Sequence, residues 1–221
     1  MKLVLFDCDG TLVDSGDFIH RCMAESFADA GLTPPEQAQT HSIIGLSLPL
    51  AIARLLGREP DEQVNWLTQR YKDNFVRLRQ APDFSEPLYD GILPLLTELG
   101  ERDDLLLGIV TGKSRRGVHA VFERHGIGKH FLVIRTADDC PSKPHPAMVL
   151  ESCAEMRIEP DRTIVIGDAI YDMQMARSAG AMAAGVSWGY HDRHALVEAG
   201  AHHILATPHD LHPLLKAMDA L

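Results

Sequence analysis

The sequence predicts an α/β protein: a doubly wound, Rossmann-like parallel sheet with a small α-helical insert. Two observations support the sheet. Six short apolar runs bounded by turn residues are typical of buried parallel strands, and helical segments lie between the later runs. A third observation marks the insert, because no convincing strand occurs between Ser15 and about Asp83. We therefore predict an α/β core of residues 1–14 and 84–221, and an α-helical unit of residues 15–83 inserted after the first strand.

Each element has its own local signal. The predicted strands are Leu3 to Phe6, Leu105 to Val110, Phe131 to Ile134, Thr163 to Ile166, Met182 to Val186 and His203 to Leu205. Helices are predicted at Ser114 to His125, Pro146 to Met156 and Tyr171 to Ala179, with Gly126, Gly180 and Gly200 at helix ends. In the insert, Val64, Leu67, Tyr71, Phe75 and Leu78 recur at helical spacing.

The composition argues against nucleic acid as a partner. The 221 residues include 45% apolar and 24% charged side chains, and the formal net charge is −10, whereas a nucleic-acid surface needs a basic patch. A small anionic substrate remains compatible with this charge if a local cation or a metal offsets the field. No stretch resembles a signal peptide or a membrane span. We therefore expect no membrane partner, a cytoplasmic location and cysteines that are free thiols.

The strongest chemical signal is a motif that directly follows the first predicted strand, Asp7-Cys8-Asp9-Gly10-Thr11. It is expected at the carboxyl end of that strand, where doubly wound sheets bind ligands. The Asp7 and Asp9 carboxylates can serve one site only if the chain turns after Asp7. In a straight strand they would lie on the same face but at different positions along it. Gly10 permits the turn, and Thr11 can bond the loop backbone. On its own, such a motif could also be a solvated turn.

A second acidic motif, Gly167-Asp168-Ala169-Ile170-Tyr171-Asp172, follows the strand that ends near Ile166. Alone, it could equally be a helix start with Asp168 as the N-cap residue. Together, the two motifs bring four carboxylates to the carboxyl ends of strands, where they would repel one another; they belong to Asp7, Asp9, Asp168 and Asp172. A hard cation with oxygen ligands resolves this repulsion, and Mg²⁺ is the usual choice beside a phosphate.

Two further segments at strand ends are suited to phosphate. Thr111 and Gly112 follow the second strand and offer a hydroxyl and free backbone N–H groups at a helix start. Lys143 precedes a proline after the third strand, and its ammonium could pair with phosphate and carboxylates. A lysine before a proline is most often part of an ordinary loop, so Lys143 has weight only together with the other motifs.

These four motifs, in this order and spacing, resemble those of the haloacid dehalogenase superfamily of phosphatases. The matching residues are Asp7 to Thr11, Thr111 with Gly112, Lys143, and Gly167-Asp168 with Asp172. The insert resembles the helical cap of that superfamily, with Asp14-Ser15 as its entry hinge and Gly45-Leu46-Ser47 as its substrate-facing loop. The resemblance covers essentially the whole chain and is greatest to the phosphoglycolate-phosphatase-like branch.

The resemblance implies a two-step phosphatase mechanism. Asp7 would attack phosphorus and form an aspartyl phosphate, and Asp9 would protonate the leaving alcohol and later deprotonate water. Asp7, the backbone carbonyl of Asp9 and Asp168 would hold Mg²⁺, with Asp172 supporting them. Substrate and phosphate oxygens would be bound by Thr111, Gly112, Lys143, Gly10 and Gly45. The cap would exclude water.

Three residues refine the resemblance. Asp9 favours phosphate esters over carbon–halogen bonds, because the dehalogenases have no acid two residues after the nucleophile. Cys8 stands where leucine or phenylalanine is common, and we expect it to be a packed apolar side chain. Lys113 could add a phosphate contact or face solvent, and both interpretations stay open.

The expected activity is Mg²⁺-dependent hydrolysis of small phosphomonoesters, phosphoglycolate-like or sugar phosphates, with a small phosphorylated metabolite as partner. A phosphosugar mutase on the same scaffold is the main alternative, although the cap histidine of related mutases falls on Ile19 here. A receiver-like signalling domain fits less well, because no aspartate ends the second predicted strand. A non-catalytic binding protein is the remaining alternative. The sequence identifies neither the substrate nor the oligomeric state.

Overall fold

The core of the protein is a six-stranded parallel sheet, seen in a computed structural model that describes residues 1–218. Its strands are β1 (Lys2–Phe6), β2 (Leu105–Val110), β3 (Val133–Arg135), β4 (Thr163–Gly167), β5 (Met182–Val186) and β6 (His203–Leu205). Their spatial order is β3-β2-β1-β4-β5-β6, which confirms the predicted fold class. The chain moves outward from β1 to β3 and resumes on the other side with β4. The crevice between β1 and β4 is therefore the topological switch point, where such sheets bind ligands.

The insert after β1 is built from four helices. They are α1 (Gly16–Asp29), α2 (Gln37–His41), α3 (Leu48–Leu56) and α4 (Glu62–Leu78). Its apolar side chains form a cluster of their own, in which Phe18 packs edge-on against Phe75 and Phe84 with ring centroids 5.0 and 4.6 Å apart. Val64, Leu67, Tyr71 and Leu78 are buried in this cluster, as their spacing predicted. That residues 15–83 act as a separate cap remains a prediction.

Within residues 1–218, six α-helices cover the two faces of the sheet. They are α5 (Ile92–Gly100), α6 (Arg115–His125), α7 (Ala147–Met156), α8 (Ile170–Ala179), α9 (Arg193–Glu198) and α10 (Leu211–Ala217). Helices α5, α6 and α10 pack on one face, and α7, α8 and α9 on the other. Alternate residues of β1 point to opposite faces, so Val4 and Phe6 enter the first cluster and Leu3 and Leu5 the second. Burial on both faces explains why the strands are continuous apolar runs.

The ends of the predicted strands and helices agree with the structure to within two residues. The third strand begins at Val133 and not at Phe131, because a 3₁₀ turn precedes it and the Phe131 ring stacks on Phe122 at 5.2 Å. Helices α6 and α8 end at Gly126 and Gly180 as predicted, whereas α9 is followed by Ala199, and Gly200 lies one residue further.

The chain shows no helix that is both long and apolar enough to cross a membrane within residues 1–218. All four cysteines are buried and free, as expected. Cys8 is fully buried in the apolar cluster on the α5 side of the sheet, which confirms that it is a packing residue.

Candidate active site

Strands β1 and β4 end side by side at the switch point, and each is followed by an aspartate. Phe6 is in register with Ile166, and the backbone N–H of Asp7 donates to the Ile166 carbonyl at 2.9 Å. Helix α8 begins just after Asp168 and brings Asp172 to the same place. One carboxylate oxygen from each of Asp7, Asp168 and Asp172 lies within 4.8 Å of the others, and all three residues are buried. We call these residues the aspartate cluster.

Lys143 reaches this cluster from the loop after β3. Its Nζ lies 2.6 Å from Asp172 Oδ1 and 3.0 Å from Asp7 Oδ1, and its side chain is completely buried. Burial opposes the charged form, but Asp172 and Asp7 together outweigh burial and raise the pKa of Lys143 above its ordinary value. Lys143 is therefore a fixed ammonium between two carboxylates.

One ammonium does not neutralise three buried carboxylates. Burial raises the pKa of Asp7 to about 7, and Asp172 adds to this while Lys143 opposes it. Burial also raises the pKa of Asp168 well above its usual range, with further contributions from Asp7 and Asp172. Asp7 Oδ2 is buried without a hydrogen-bond partner. Oxygen donors, excess negative charge and an unpartnered buried oxygen together suit a hard divalent cation.

Asp168 is held by the first motif and by the loop after β5. Thr11 Oγ1 donates to Asp168 Oδ1 at 3.0 Å, and the Tyr190 backbone N–H donates to Asp168 Oδ2 at 3.0 Å. The expectation that Thr11 would bond the loop backbone is therefore wrong, because the buried carboxylate is the stronger acceptor. Gly10 has a φ of +85°, and a Cβ there would collide with the Asp168 carboxylate. Gly10 thus permits both the turn and this close approach.

The N-terminus of α8 excludes the structural alternative for the second acidic motif. Its N-cap residue is Ala169, not Asp168, and the Asp172 side chain accepts a hydrogen bond from the Ala169 backbone N–H at 3.1 Å. Asp168 is thereby left to the aspartate cluster. This arrangement favours the functional interpretation of the second acidic motif over the structural one.

The Asp9 carboxylate lies outside the aspartate cluster. Asp9 Oδ1 accepts hydrogen bonds from Ser15 Oγ at 2.6 Å and from Lys113 Nζ at 2.7 Å. The prediction that four carboxylates converge is therefore corrected to three. The physical reason is electrostatic: a hydroxyl and an ammonium on the far side of the turn attract Asp9, and this separates it from the other negative charges.

Lys113 does not face solvent, so that interpretation is corrected, and in this structure its ammonium is paired with two carboxylates. Its Nζ lies between Asp9 and Glu86, 3.0 Å from Glu86 Oε1. The Lys113 side chain is 7% exposed, and the Glu86 side chain is 1% exposed. Burial opposes its charge, but Asp9 and Glu86 raise the pKa of Lys113 well above its ordinary value. Sequence reasoning missed Glu86, because a single glutamate in a short loop before Pro87 belongs to no motif.

Thr111 and Gly112 lie directly beneath the loop between α2 and α3. A Cβ on Gly112 would stand 2.5 Å from the Gly45 carbonyl oxygen and 2.6 Å from that of Leu46. The same loop is tied to the core where Ser47 N–H donates to Ser142 Oγ at 2.8 Å. We call residues 42–47 the insert loop. It covers the position at which the second motif would bind phosphate.

Tyr190 is a second residue that sequence reasoning missed. Its backbone N–H holds Asp168, its hydroxyl accepts from the Ser15 N–H at 3.0 Å, and the same hydroxyl donates to Asp14 Oδ1 at 3.3 Å. It therefore connects the predicted hinge, Asp14-Ser15, with the aspartate cluster. Its location just past the carboxyl end of β5 is a signal that could have identified it.

A cavity of about 760 Å³ opens from this site toward the insert. Five of the predicted site residues line it, namely Asp7, Asp9, Gly45, Thr111 and Gly112. Lys143, Asp168 and Asp172 are buried beside Asp7, and Gly10 packs against Asp168. The structure thus places all nine predicted residues at one end of the sheet, while their roles remain predictions.

Comparison with known proteins identifies the family. The sequence model described as haloacid dehalogenase-like hydrolase matches residues 4–186. The chain belongs to this family. This haloacid dehalogenase-like hydrolase is 33% identical over 193 residues to the N-acetylmuramic acid 6-phosphate phosphatase of Pseudomonas aeruginosa, covering 86% of this chain and 83% of the relative. It is 32% identical over 213 residues to the phosphoglycolate phosphatase of Synechococcus elongatus, covering 96% of this chain and 95% of that relative.

A solved structure agrees with the sequence comparison. A hydrolase from Pseudomonas syringae superposes with a TM-score of 0.85 at 27% identity, covering 98% of this chain and 99% of that one. The resemblance stated from the motifs is confirmed. So is the prediction of a phosphoric monoester hydrolase, which rests on the family and on the phosphatase relatives.

Proposed function

We propose that this hydrolase is a Mg²⁺-dependent phosphatase of small phosphomonoesters that works through an aspartyl phosphate on Asp7. The observation that carries the proposal is the position of Asp7. One oxygen faces Lys143, the other is buried without a partner beside Asp168 and Asp172, and the residue lines a cavity of about 760 Å³. The named phosphatase relatives support the same activity.

The donor set fits Mg²⁺. Asp7, Asp168 and the backbone carbonyl of Asp9 would hold the ion, and Asp172 would support them while it holds Lys143. When bound, Mg²⁺ would neutralise charge on the phosphoryl group and orient that group for in-line attack.

In the first step, an Asp7 carboxylate oxygen forms a bond to phosphorus, and the bond from phosphorus to the leaving alcohol oxygen breaks. Asp9, which pairs with Lys113 in this structure, would turn toward that oxygen and give it a proton as the general acid. Lys143 keeps Asp7 oriented through its contact with Asp7 Oδ1. The Thr111 hydroxyl, the Gly112 N–H and Lys143 stabilise the charge on the phosphoryl oxygens.

In the second step, water attacks phosphorus and the bond to Asp7 breaks, which frees inorganic phosphate. Asp9, now ionised, takes the proton of that water and returns to its starting form. Asp9 must move between Lys113 and the reacting oxygen to do this. Its bond to Ser15, at the hinge of the insert, would link that movement to closure of the insert as a cap over the site.

The mutase alternative gains no support from the geometry of the insert. Ile19 lines the cavity and offers no proton-accepting or proton-donating group. His20, the adjacent histidine, instead forms a hydrogen bond with Thr40 Oγ1 at 3.0 Å. Water is therefore the phosphoryl acceptor that we propose.

The proposal is tested with the purified chain, Mg²⁺ and a panel of phosphorylated metabolites, measuring release of inorganic phosphate. Asp7→Asn serves as the inactive control, because an amide cannot act as the anionic nucleophile. We expect release from several esters by the wild-type protein alone. Isomerisation of a sugar phosphate without phosphate release would favour the mutase. Equal rates for wild type and Asp7→Asn would overturn the mechanism.

A further inference from the structure

The cavity above Asp7 is much larger than the smallest substrates of a phosphatase require. Its volume of about 760 Å³ falls within the roughly 300–1,000 Å³ typical of sites that enclose drug-sized ligands. An ester with a two-carbon leaving group would leave most of this space to water. A substrate that fills the cavity therefore has a bulky leaving group.

The walls that face the leaving group are mainly apolar. Ile19 and Met23 of α1, Tyr71 and Phe75 of α4, and Ile44 and Leu46 of the insert loop line the cavity. They belong to three different segments of the insert, so the apolar surface surrounds the space and is not a single stripe. Burying apolar substrate surface against these walls is favourable, whereas burying an unpaired carboxylate there is costly.

The Lys113 ammonium, which lines the cavity together with Asp9, is already paired and is not available to a second anionic group. Lys113 Nζ already lies 2.7 Å from Asp9 and 3.0 Å from Glu86, so one ammonium serves two carboxylates. The remaining cations of the cavity lining are Lys72, Arg79 and Arg116. Lys72 and Arg116 are exposed, and Arg79 donates to the Ala120 carbonyl at 3.1 Å and lies over the Phe84 ring. These three suit an anionic group only at the far end of a long leaving group.

We propose that the substrate is a phosphomonoester with a bulky, sugar-sized leaving group that carries apolar substituents, and that 2-phosphoglycolate is a poor substrate. The inference rests on the proposed phosphatase function and adds the substrate class. It follows from the size of the cavity, from its apolar walls, and from the Lys113 ammonium, which is already paired with Asp9 and Glu86. The carboxylate of phosphoglycolate would lie near Asp9, and the Lys113 ammonium there is already shared with Glu86.

The first test compares kcat/KM for N-acetylglucosamine 6-phosphate and 2-phosphoglycolate, both esters of primary alcohols. We expect the sugar ester to be favoured by about ten-fold or more, on the basis of apolar burial and avoided charge repulsion. A second pair, 1-naphthyl and phenyl phosphate, varies apolar area among aryl leaving groups, and we expect naphthyl to be favoured several-fold.

Phe75→Leu tests the apolar wall directly. It should reduce the preference for naphthyl over phenyl phosphate, because part of the wall is removed. Trp66→Leu is the matched control, since Trp66 lies on the same helix, is 48% exposed and does not line the cavity. Ile44→Ala provides an independent change of the wall if Phe75→Leu does not fold. An unchanged preference in the folded wall variants would contradict the proposal.

Glu86→Gln tests the charge part of the inference. It leaves Lys113 with one carboxylate partner, so kcat/KM for 2-phosphoglycolate should rise several-fold relative to the sugar ester. No relative rise in a folded variant would contradict the role given to Lys113. Wild-type turnover of 2-phosphoglycolate that equals or exceeds that of the sugar ester would overturn this inference and leave the phosphatase intact. No turnover of any ester with Mg²⁺ would overturn both.

Discussion

At the scale of single residues, the surroundings of Asp7 oppose the ionised form that its proposed role as nucleophile requires. A nucleophile must be ionised, yet burial and Asp172 raise the pKa of Asp7 to about 7. Lys143 partly offsets this rise in pKa through its contact with Asp7 Oδ1, whereas Asp7 Oδ2 has no hydrogen-bond partner. The residue is therefore organised for a second positive partner, which would make the carboxylate the stable form.

Asp7→Asn should have two separable effects. Turnover should fall roughly 10³-fold or more. The metal-free variant should also be more stable than the metal-free wild type by about 1–3 kcal/mol at pH 8. A carboxyl group whose folded pKa is raised destabilises the fold progressively as pH rises from its unfolded pKa of 3.8 through about 7, whereas the amide does not ionise. Urea unfolding in EDTA at pH 4 and pH 8 measures this difference.

The control for that experiment is Asp103→Asn, which makes the same replacement of a carboxylate by an amide at an exposed aspartate. It should alter neither turnover nor the pH dependence of the unfolding free energy. A stability gain for Asp7→Asn that is the same at pH 4 and pH 8 would contradict the electrostatic explanation.

Asp9→Asn should impair the reaction selectively. The nucleophile and the Asp9 backbone carbonyl are retained, but the proton donor is lost. Nitrophenyl phosphate has a good leaving group and needs little acid help, so its phosphorylation rate should fall less than that of an alkyl phosphate. Single-turnover measurements on both esters test this, and equal losses would argue against Asp9 as the acid.

Lys113→Met should destabilise the folded protein by about 3–5 kcal/mol, because it leaves the Asp9 and Glu86 carboxylates buried without a cation. The double variant Lys113→Met/Glu86→Gln should recover part of the loss, since one of the two unpaired charges is then removed. Denaturant unfolding of the wild type, both single variants and the double variant gives the coupling energy. A coupling energy near zero would show that Lys113 and Glu86 do not act as a pair.

At the scale of elements, the contact between the insert loop and the end of β2 controls the geometry of the site. The Gly45 and Leu46 carbonyl oxygens lie 2.5 and 2.6 Å from the position that a Cβ of Gly112 would take, and the Ser47 N–H donates a hydrogen bond to Ser142 Oγ. The insert and the core therefore meet at the residues proposed to bind phosphate. Small displacements of the insert loop should thus affect catalysis more than stability.

Gly112→Ala should displace the insert loop and lower kcat/KM by about ten-fold or more, because misplacing binding groups by about 1 Å is costly. Its stability loss should be about 1–3 kcal/mol, the usual cost of overpacking. Gly180→Ala is the comparison, since its φ of +77° imposes strain far from the site, where Pro160 is 3.9 Å away. If Gly180→Ala loses as much activity as Gly112→Ala, general destabilisation and not the loop contact explains the effect.

At the scale of the whole molecule, metal binding should couple activity to folding stability. The aspartate cluster joins the end of β1 to the end of β4 and the start of α8, so a bound cation would connect the two halves of the sheet. In a protein of net charge −10, this local excess of negative charge opposes the binding of a phosphate.

EDTA should abolish activity and Mg²⁺ should restore it, with Mn²⁺ as a possible substitute. Mg²⁺ should also raise the melting temperature, because it binds the folded state preferentially. Ca²⁺ should inhibit, since its larger and looser coordination shell would let both Asp7 oxygens bind metal. In Asp168→Ala, the Mg²⁺ concentration for half-maximal rate should increase or activity should vanish. Full activity in EDTA, with no metal by elemental analysis, would exclude this mechanism.

The sequence by itself determined the strands, the helices α4, α6, α7 and α8, and the placement of the reactive motifs. Apolar runs ending in Asp7, Thr111 and Asp168 identify carboxyl ends of parallel strands, because backbone periodicity and strand-end position are local properties. The tertiary structure alone decided which side chains meet. Asp9 pairs with Lys113, 104 positions away, and not with the aspartate cluster. Glu86 and Tyr190 joined the site without any motif, since a side chain's partners depend on packing between distant segments that periodicity does not encode.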